Sequence, residues 1–588
     1  MNIVSKSFYG SRRIAKALRL FFMIAGPGII VMVADNDAGG ITTYSVTGAQ
    51  YGMYLLWFLI LLGPVAYYVQ EMTVRLGAVT KRGHAEAIFT AFGRFWGWFS
   101  LLDLVMTDWL TMITEYIGMT AAMGIFHIPP LVTVICCWII MGSMILSGRY
   151  WTWEKITLGL CVLNMIYVPA AFMVHPSVHD VIKYSCIPNL PPGGLTNALF
   201  FMLMANIGTT IAPWMLFFQQ SSVVDKGLTE KDIRCGKIDT LIGAFFTVLV
   251  AVVLIIVCGT LLKGQDIQNA AAASTAILGS GIPASKFIGT IFAIGLFDAG
   301  LLGAVCISLA SSWAFGEVFG WAHSLNNKVR EAPWFYAYYF FDLLLAGTIV
   351  LIPKAPLVLI TLFVQVIATT LMPAALVFLI LLLNDRKTMG VYCNTLWENI
   401  VNIAIVVIVI LTSTLYGLSA LFPSILNDPH AAGQGVIDFF VGPEGLPVIF
   451  RHLHWTPQVI AAAVIAAAVV IEFVFLLRAG RWPRWSAIAN VSKGIARIPL
   501  AAAIRAVIAA VGGSWLGSLW RGLAAWMSRS RPGRLVHLTR EQFRGVSRKY
   551  AKPEIETTRF AKFCLLSLRV YLFVLIGLMV FKFIVAAL

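Results

Sequence analysis

The chain has 588 residues, of which 59% are hydrophobic and 12% are charged, and its mean hydropathy is +0.84. This composition excludes an ordinary soluble globular protein, and the lack of alternating patterns of about ten residues argues against a β-barrel. Residues 478–562 contain 17 Lys and Arg but only 3 Asp and Glu, so they account for +14 of the net charge of +16. A basic segment beside apolar runs indicates a cytoplasmic surface on anionic lipid, and we expect this partner rather than nucleic acid.

Twelve apolar runs follow one another along the chain, and a helix of about 20 residues is long enough to cross a bilayer. The runs lie at 20–50, 53–74, 96–125, 130–147, 156–174, 197–220, 238–262, 285–320, 335–352, 355–384, 398–421 and 456–477. A thirteenth run, 563–588, contains Arg569 and Lys582, so it either spans the membrane or lies along its surface. These patterns predict an all-α polytopic membrane protein.

The loops between the runs predict orientation and domain organisation. Basic residues recur in alternate connections, which places residues 1–19 in the cytoplasm and the long loop 422–455 outside. We expect a multi-pass protein of the inner membrane. Its predicted parts are a ten-helix core (20–384, with repeats 20–174 and 197–384), accessory helices (385–477), a basic cytoplasmic or interfacial segment (478–562, with an amphipathic helix in 485–530) and a candidate last span (563–588).

Gly, Pro and polar residues interrupt two of the predicted spans. The first contains Gly26-Pro27-Gly28 and then Asp35-Asn36-Asp37-Ala38-Gly39-Gly40, and the sixth contains the stretch from Asn206 to Trp214, with Pro213. The two lie five spans apart. Interruptions at matching places in two five-helix halves are typical of inverted-repeat transporters whose site lies near the membrane midplane. Unwound backbone at that depth is tolerated only where it lines a cavity.

Asp35 and Asp37 are acids in the middle of an apolar span, where a charge costs about 2.5–3.5 kcal/mol even on a lenient scale. Neither interrupted span contains a Lys or Arg, so a bound cation is the favoured compensation. Backbone carbonyls near Thr209 and Ala38 would then serve as neutral oxygen ligands. The alternative is that an acid is protonated, or that it caps the half-helix that follows.

The sequence around both interruptions resembles the NRAMP family of divalent-metal transporters. The family motif Asp-Pro-Gly-Asn falls on Asp37-Ala38-Gly39-Gly40, and its Met-Pro-His falls on Ala212-Pro213-Trp214, with a metal-binding carbonyl at Thr209. Further matches at Gly48-Ala49-Gln50-Tyr51-Gly52 and Glu115-Tyr116-Ile117-Gly118 extend the similarity over about residues 20–420. The resemblance implies a LeuT-like fold of the APC superfamily, with 5+5 inverted repeats and discontinuous first and sixth helices. It also implies a transporter rather than an enzyme, with the metal as substrate and no cofactor.

The departures from both motifs indicate the substrate. Ala212 stands where the family has a methionine whose thioether selects soft metals, and Gly40 stands where it has asparagine. A wide all-oxygen site suits hydrated Mg²⁺, and also Mn²⁺. The branch to which this is similar is the prokaryotic NRAMP-related magnesium transporters. Gln365 resembles a family glutamine near the ion, although a lone amide that bonds a neighbouring helix explains it as well. The candidate metal ligands are therefore Asp37, Gly40, Thr209, Ala212, Asp35 and Gln365.

The resemblance also bears on proton coupling. The family's proton route uses a histidine and an aspartate whose places are taken here by Trp214 and Met112, and neither side chain titrates. Glu115 remains, and Asp108 lies two helical turns earlier on the same face, so a partial acidic path stays open. We expect uncoupled entry driven by the membrane potential, because a divalent cation gains about 4.6 kcal/mol across 100 mV. The alternatives are a proton-coupled Mn²⁺/Fe²⁺ symporter and a sodium-coupled symporter of organic solutes with the same fold.

Two more acids lie at membrane depth, Asp298 in the eighth run and Asp342 in the ninth. For both, lining of a pathway and hydrogen bonding between helices are equally good explanations. No Ser/His/Asp or His-rich arrangement in the apolar runs indicates an enzyme.

Overall fold

The computed structural model describes residues 24–421 apart from 193, 195, 282–283 and 352–356, and also residues 542–551, 553 and 561–571. These described residues form helices and no strands. The predicted loop 422–455, the span 456–477 and the amphipathic helix in 485–530 lie outside them. Of the predicted last span, only residues up to 571 are described, and a helix covers 561–571.

Seventeen α-helices lie within the described residues between 24 and 421. In chain order they are α1 (Pro27–Ala34), α2 (Ala38–Tyr51), α3 (Leu56–Thr80), α4 (His84–Gly124), α5 (Pro130–Ile145), α6 (Tyr150–Asn164), α7 (Val168–Met173), α8 (Val178–Cys186), α9 (Asn197–Thr210), α10 (Pro213–Asp225), α11 (Ile233–Leu261), α12 (Ala270–Leu278), α13 (Ser285–Phe319), α14 (Pro333–Val350), α15 (Leu357–Leu383), α16 (Arg386–Met389) and α17 (Leu396–Leu421). Each predicted run from 20–50 to 398–421 overlaps one or two of them. Seven helical stretches in this part of the chain are long and apolar enough to cross a membrane.

The first span is broken, as predicted. Pro27 occupies the first position of α1, where its missing N–H costs nothing, and Gly26 before it has a φ of 151° that favours glycine. The helix ends at Ala34 because Asp35, Asn36 and Asp37 favour turns and caps over helix interiors. The backbone of Asp37 is extended, and α2 begins at the next residue.

The sixth span is also broken, and its break is made by proline. Pro213 has no N–H and disfavours helical backbone in the residue before it, so Ala212 is extended with φ −102° and ψ 148°. Helix α9 ends at Thr210, and α10 begins at Pro213. Both breaks therefore leave helix ends inside the protein, and their backbone groups need partners.

Helix α11 provides such partners for α1. The Asp239 carboxylate accepts the amide N–H groups of Gly26 at 3.0 Å, Gly28 at 2.6 Å and Ile29 at 3.3 Å. At the other end of α1, the Thr247 hydroxyl donates to the carbonyl of Met32. A single long helix thus satisfies backbone groups at both ends of a two-turn helix, which fixes the position of α1.

Glycines on α13 bring α4 and the start of α2 together. A Cβ atom placed at Gly303 would lie 2.9 Å from Asp37 Cβ and 2.9 Å from Glu115 Oε2, and one at Gly300 would lie 3.0 Å from the Glu115 carbonyl. A side chain at either position would separate these elements. The close approach therefore positions Glu115 of α4 beside Asp37.

The helix at 561–571 packs against the same unit of the structure. The Tyr571 hydroxyl donates to the Thr370 carbonyl of α15 at 2.6 Å, and the Arg569 guanidinium lies 5.3 Å from the centre of the Trp96 ring. Residues 542–549 form a helix in a second compact unit.

Candidate metal-ion site

Asp37 caps the amino terminus of α2. Its Oδ1 atom accepts the amide N–H of Gly40 at 2.6 Å, which is the bond expected of an N-cap aspartate. The side chain is only 3% exposed. The capping role that the sequence left open is therefore present in the structure. It does not exclude metal binding, because a carboxylate oxygen can accept a hydrogen bond and still face a cation.

Three oxygen atoms from the two broken spans converge on Gly40. A Cβ atom placed at Gly40 would lie 2.8 Å from Thr209 Oγ1, 3.0 Å from the Asp35 carbonyl oxygen and 3.4 Å from Asp37 Oδ1. Glycine allows this close approach, whereas a side chain would push the oxygens away. The hydroxyl of Thr209 has no hydrogen-bond partner among the described residues. A hydroxyl, a carbonyl and a carboxylate around one point form a donor set suited to a hard cation.

Asp35 adds a second acid to this region. Its side chain is buried, and its Oδ2 atom has no hydrogen-bond partner among the residues that the structure describes. The Asp35 carbonyl thus lies next to Gly40, and one oxygen of the Asp35 carboxylate is unpaired among the described residues.

Gln365 of α15 lies against the same turn. A Cβ atom at Gly39 would collide with Gln365 Nε2 and would lie 3.2 Å from Asp37 Oδ1, so the amide and the carboxylate approach Gly39 from the same side. Within the described chain, Gln365 Nε2 has no hydrogen-bond partner. A half-turn of the amide exchanges its nitrogen and oxygen, and either atom can therefore face the site.

Ala212 and Trp214 lie at the break of the sixth span. The amide N–H of Ala212 points to the sulfur of Met215 at 3.4 Å, so this thioether occupies the capping position that Glu or Gln often fills. A methionine sulfur is thus present at the break, three residues after the place that the family motif gives it. Sequence reasoning missed Met215, although its position three residues after the N-cap could have indicated it. Trp214 is buried, and its ring meets that of Phe218 edge-on at 6.3 Å.

Glu115 contacts the site directly, whereas Asp108 lies farther along α4. The Glu115 carboxylate accepts the amide N–H of Ala38 at 2.9 Å and the hydroxyl of Thr114 at 3.2 Å. Asp108 accepts a hydrogen bond from the Ser311 hydroxyl of α13. Seven helical residues rise about 10.5 Å, and Met112 lies between the two acids. The structure therefore brings only Glu115 to Asp37.

Helix contacts close the site on both sides. The Asn206 amide donates to the Thr47 hydroxyl at 2.9 Å, and the hydroxyls of Tyr44 and Thr210 lie 3.3 Å apart, so α2 and α9 are joined. On the side of α1, Lys226 donates to Glu154 at 2.6 Å and to the Ala25 carbonyl at 2.9 Å. The candidate ligands are all buried.

Carboxyl groups dominate the electrostatics of the site. Asp35, Asp37 and Glu115 lie around the start of α2, and the ion pairs found in the described part of the chain, such as Arg75 with Glu71, lie elsewhere. No cluster of three His, Cys, Asp or Glu side chains that could hold a metal occurs among those residues. A cation at Asp37 would therefore depend on carbonyl, hydroxyl, amide or water oxygens in addition to acids.

Comparisons with known proteins agree with this arrangement. A family model described as natural resistance-associated macrophage protein-like matches residues 28–419. The divalent metal cation transporter MntH of Caldanaerobacter subterraneus is 23% identical over 415 residues, covering 68% of this chain and 93% of that protein. MntH of Staphylococcus saprophyticus is 26% identical over 439 residues, covering 69% of this chain and 93% of its own length.

A solved structure of the Eremococcus coleocola manganese transporter aligns with a TM-score of 0.56 and 19% identity, covering 71% of this chain and 93% of that one. This likeness shows the fold. The prediction of an all-α, LeuT-like 5+5 inverted-repeat architecture with discontinuous first and sixth helices is confirmed.

Proposed function

Because the chain belongs to the natural resistance-associated macrophage protein (NRAMP) family, we propose that it carries hydrated Mg²⁺, and also Mn²⁺, through the site at Asp37. It is a multi-pass membrane transporter of divalent metal cations and not an enzyme, and the metal is its substrate rather than a cofactor. The choice of Mg²⁺, the ligands and the driving force are the proposed parts.

The observation that carries the proposal is the convergence of oxygen atoms on Gly40. Oxygens of Thr209, Asp35 and Asp37 lie 2.8–3.4 Å from the point that a Cβ atom would occupy there. Mg²⁺ binds oxygen at about 2.0–2.1 Å and gives up its water reluctantly, so a few protein oxygens together with retained water suit this ion. A side chain at position 40 would push these protein oxygens apart.

The residue at the sixth break supports a hard ion. Ala212 brings no sulfur to the place where the family has a thioether, which removes the preference for soft metals. The sulfur of Met215 is engaged with the Ala212 amide at 3.4 Å. Mg²⁺ and Mn²⁺ both accept oxygen ligands, and both are therefore proposed substrates.

We propose that entry is uncoupled and driven by the membrane potential. Trp214 and Met112 take the places of the titrating residues expected on a proton route. Both Glu115 oxygens hold hydrogen bonds, one of them to the Ala38 backbone that begins α2, which gives this acid a structural role. A divalent cation gains about 4.6 kcal/mol across 100 mV, so no coupling ion is required.

A proton-coupled Mn²⁺/Fe²⁺ symporter is the second candidate, because Glu115 lies beside Asp37 and Asp108 lies two turns earlier on the same helix. The third candidate, a sodium-coupled symporter of organic solutes, is disfavoured by the acid at the break. In that architecture the half-helix amino termini would hold a substrate carboxylate, and Asp37 would repel it.

Reconstituted proteoliposomes test the proposal. With a potassium diffusion potential, a Mg²⁺ dye and a pH dye inside, the wild type should take up Mg²⁺ without a change of internal pH. Asp37→Ala should reduce uptake to the level of empty vesicles, whereas a control at the half-exposed Asp180, Asp180→Ala, should not. Unchanged uptake in Asp37→Ala would refute the site, and internal acidification linked to Mn²⁺ uptake would support the symporter instead.

The cellular setting is also proposed. We place the chain in the inner membrane with residues 1–19 in the cytoplasm, and we assign the basic segment 478–562 to the surface of anionic lipid. Labelling of a cysteine introduced within residues 1–19 tests the orientation. A reagent that does not cross the membrane should reach it only after the cells are opened. Labelling of a cysteine within 1–19 from outside would contradict the orientation.

A further inference from the structure

Three buried polar side chains lie together on the far side of α13 from Glu115 and Asp37. They are Asp298 of α13, Asn164 at the end of α6, and Tyr167 in the 3₁₀ turn Met165–Tyr167 that follows. Asp298 is 2% exposed, and the other two are fully buried. Both carboxylate oxygens of Asp298, both amide atoms of Asn164 and the Tyr167 hydroxyl have no hydrogen-bond partner in the described part of the chain. Buried polar groups are rarely left unpaired, so this cluster calls for an explanation.

The geometry directs these groups to one place. Helix α13 packs against α6 and against the 3₁₀ turn, and the Asn164 amide lies next to the Asp298 carboxylate. One turn before Asp298, a Cβ atom at Gly295 would lie 2.7 Å from the Tyr167 hydroxyl oxygen. Glycine at this position lets the hydroxyl reach the surface of α13. The three side chains therefore converge where the regular helix α6 gives way to a tighter turn.

An ionised Asp298 would have no compensating charge in the described part of the chain. Asp298 takes part in no ion pair there, whereas Arg75, Lys226 and Lys237 pair with other acids. A carboxylate removed from water is either protonated or held in its ionised form by a positive charge. The amide and the hydroxyl supply two further oxygens, which are ligands for a hard cation.

We propose that Asp298, Asn164 and Tyr167 form a second cation site, which binds a monovalent alkali ion such as Na⁺. One carboxylate with two neutral oxygens carries a charge of −1, and a monovalent ion neutralises it. A divalent ion would leave a net positive charge in a medium of low dielectric constant, which is unfavourable. The site is distinct from the one at Asp37. Gly303 of α13 faces Asp37, and Asp298 lies five residues earlier, so its side chain leaves the helix about 140° away from that direction.

Such an ion would stabilise the folded transporter and would not itself be transported. It would join α13, which packs against the start of α2, to the point where α6 changes to a 3₁₀ turn. Binding to the folded protein alone stabilises it in proportion to the logarithm of the ion concentration above the Kd. The proposal therefore predicts a stabilisation by Na⁺ that continues to grow with the logarithm of its concentration and does not require a divalent metal.

Thermal unfolding of the purified full-length protein in detergent tests this. NaCl is titrated against N-methyl-D-glucamine chloride at constant ionic strength, without divalent ions. The midpoint of the wild type should rise with the logarithm of the Na⁺ concentration once that concentration exceeds the Kd, and Asp298→Asn should lose this rise. Asp342→Asn should keep it, since Asp342 is a buried membrane acid whose oxygens are also unpaired among the described residues. Absence of a Na⁺-specific rise in the wild type, or an unchanged rise in Asp298→Asn, would overturn the proposal.

A second pair of variants keeps the test decisive if Asp298→Asn is poorly folded. Tyr167→Phe removes one ligand oxygen and keeps the ring, so it should raise several-fold the Na⁺ concentration at which the midpoint begins to rise. Asp37→Ala should leave the Na⁺ response unchanged even when it abolishes divalent transport. Loss of the response in Asp37→Ala together with a wild-type response in Tyr167→Phe would assign Na⁺ to the broken helices and reject the second site.

Discussion

The two broken spans differ in what interrupts them and in what they bring to the site. In the first span, the acids and the asparagine at 35–37 end one helix, and Asp37 then caps the next through the Gly40 amide at 2.6 Å. In the sixth span, Pro213 makes the break, and the residues at the break carry no charge. The first break supplies carboxylates, whereas the second supplies a neutral hydroxyl at Thr209 and a backbone shaped by proline.

In the site that we propose, this difference assigns separate roles in ion binding to the two breaks. The carboxylates must be neutralised at membrane depth, so the first break should determine whether a cation binds at all. The second break presents no charge, and its side chains should determine which cation is preferred. Gly40 lies where the two sets of oxygens meet. Substitutions at these positions test whether the division holds.

The largest effect is expected from the charge of Asp37. Asn is as good an N-cap as Asp, so Asp37→Asn keeps the start of α2 and removes only the charge. Compensation of a buried charge is worth about 2.5–3.5 kcal/mol, which corresponds to a loss of about 100-fold or more in Mg²⁺ uptake. Uptake by proteoliposomes and the unfolding midpoint should be measured together.

The two readouts separate the two roles of Asp37. If Asp37→Asn transports normally while Asp37→Ala does not, the residue acts as a helix cap and the division between the breaks fails. If both variants lose transport and only Asp37→Ala unfolds earlier, the charge and the cap are separate contributions of one side chain.

A smaller loss is expected from Gly40→Ala. The new Cβ atom would lie 2.8 Å from Thr209 Oγ1 and 3.0 Å from the Asp35 carbonyl, so it would displace oxygens that we assign to the ion. Overpacking costs about 1–3 kcal/mol, and Mg²⁺ uptake should fall about tenfold. Gly124→Ala at the end of α4 is the matched control, because no atom lies within 4 Å of its added Cβ. Equal uptake in both variants would show that the oxygens around Gly40 do not bind the ion.

Much of this comparison could be predicted from the sequence, because each break has a local chemical cause. Pro213 and the run of polar residues at 35–37 interrupt a helix wherever they occur, and their spacing of five spans indicates the inverted repeat. The choice of Asp37 as the central acid follows from the same local pattern. Its capping bond was one of two alternatives that the sequence left open.

The partners that hold the breaks in place could not be predicted, because they are distant in the sequence. Asp239 lies 211 residues from Gly28, and nothing local marks it as the acceptor for the amides of α1. The same is true of Asp298 and Asn164, whose proximity depends on how α13 packs against α6. Local patterns predicted where helices stop, whereas tertiary packing decided which acids meet which helix ends.

The smallest effect is expected at the sixth break, where Ala212→Met places a thioether at the position that the family motif gives it. Sulfur favours softer metals, so the ratio of Mn²⁺ to Mg²⁺ uptake should rise roughly fivefold, a difference of about 1 kcal/mol. Total uptake should change less than in Asp37→Asn. Met215→Leu is the informative companion, because the Met215 sulfur already lies 3.4 Å from the Ala212 amide. Met215→Leu could lower the ratio of Mn²⁺ to Mg²⁺ uptake as strongly as Ala212→Met raises it. In that case the native site already uses sulfur, and the sixth break contributes a soft ligand in addition to the oxygens.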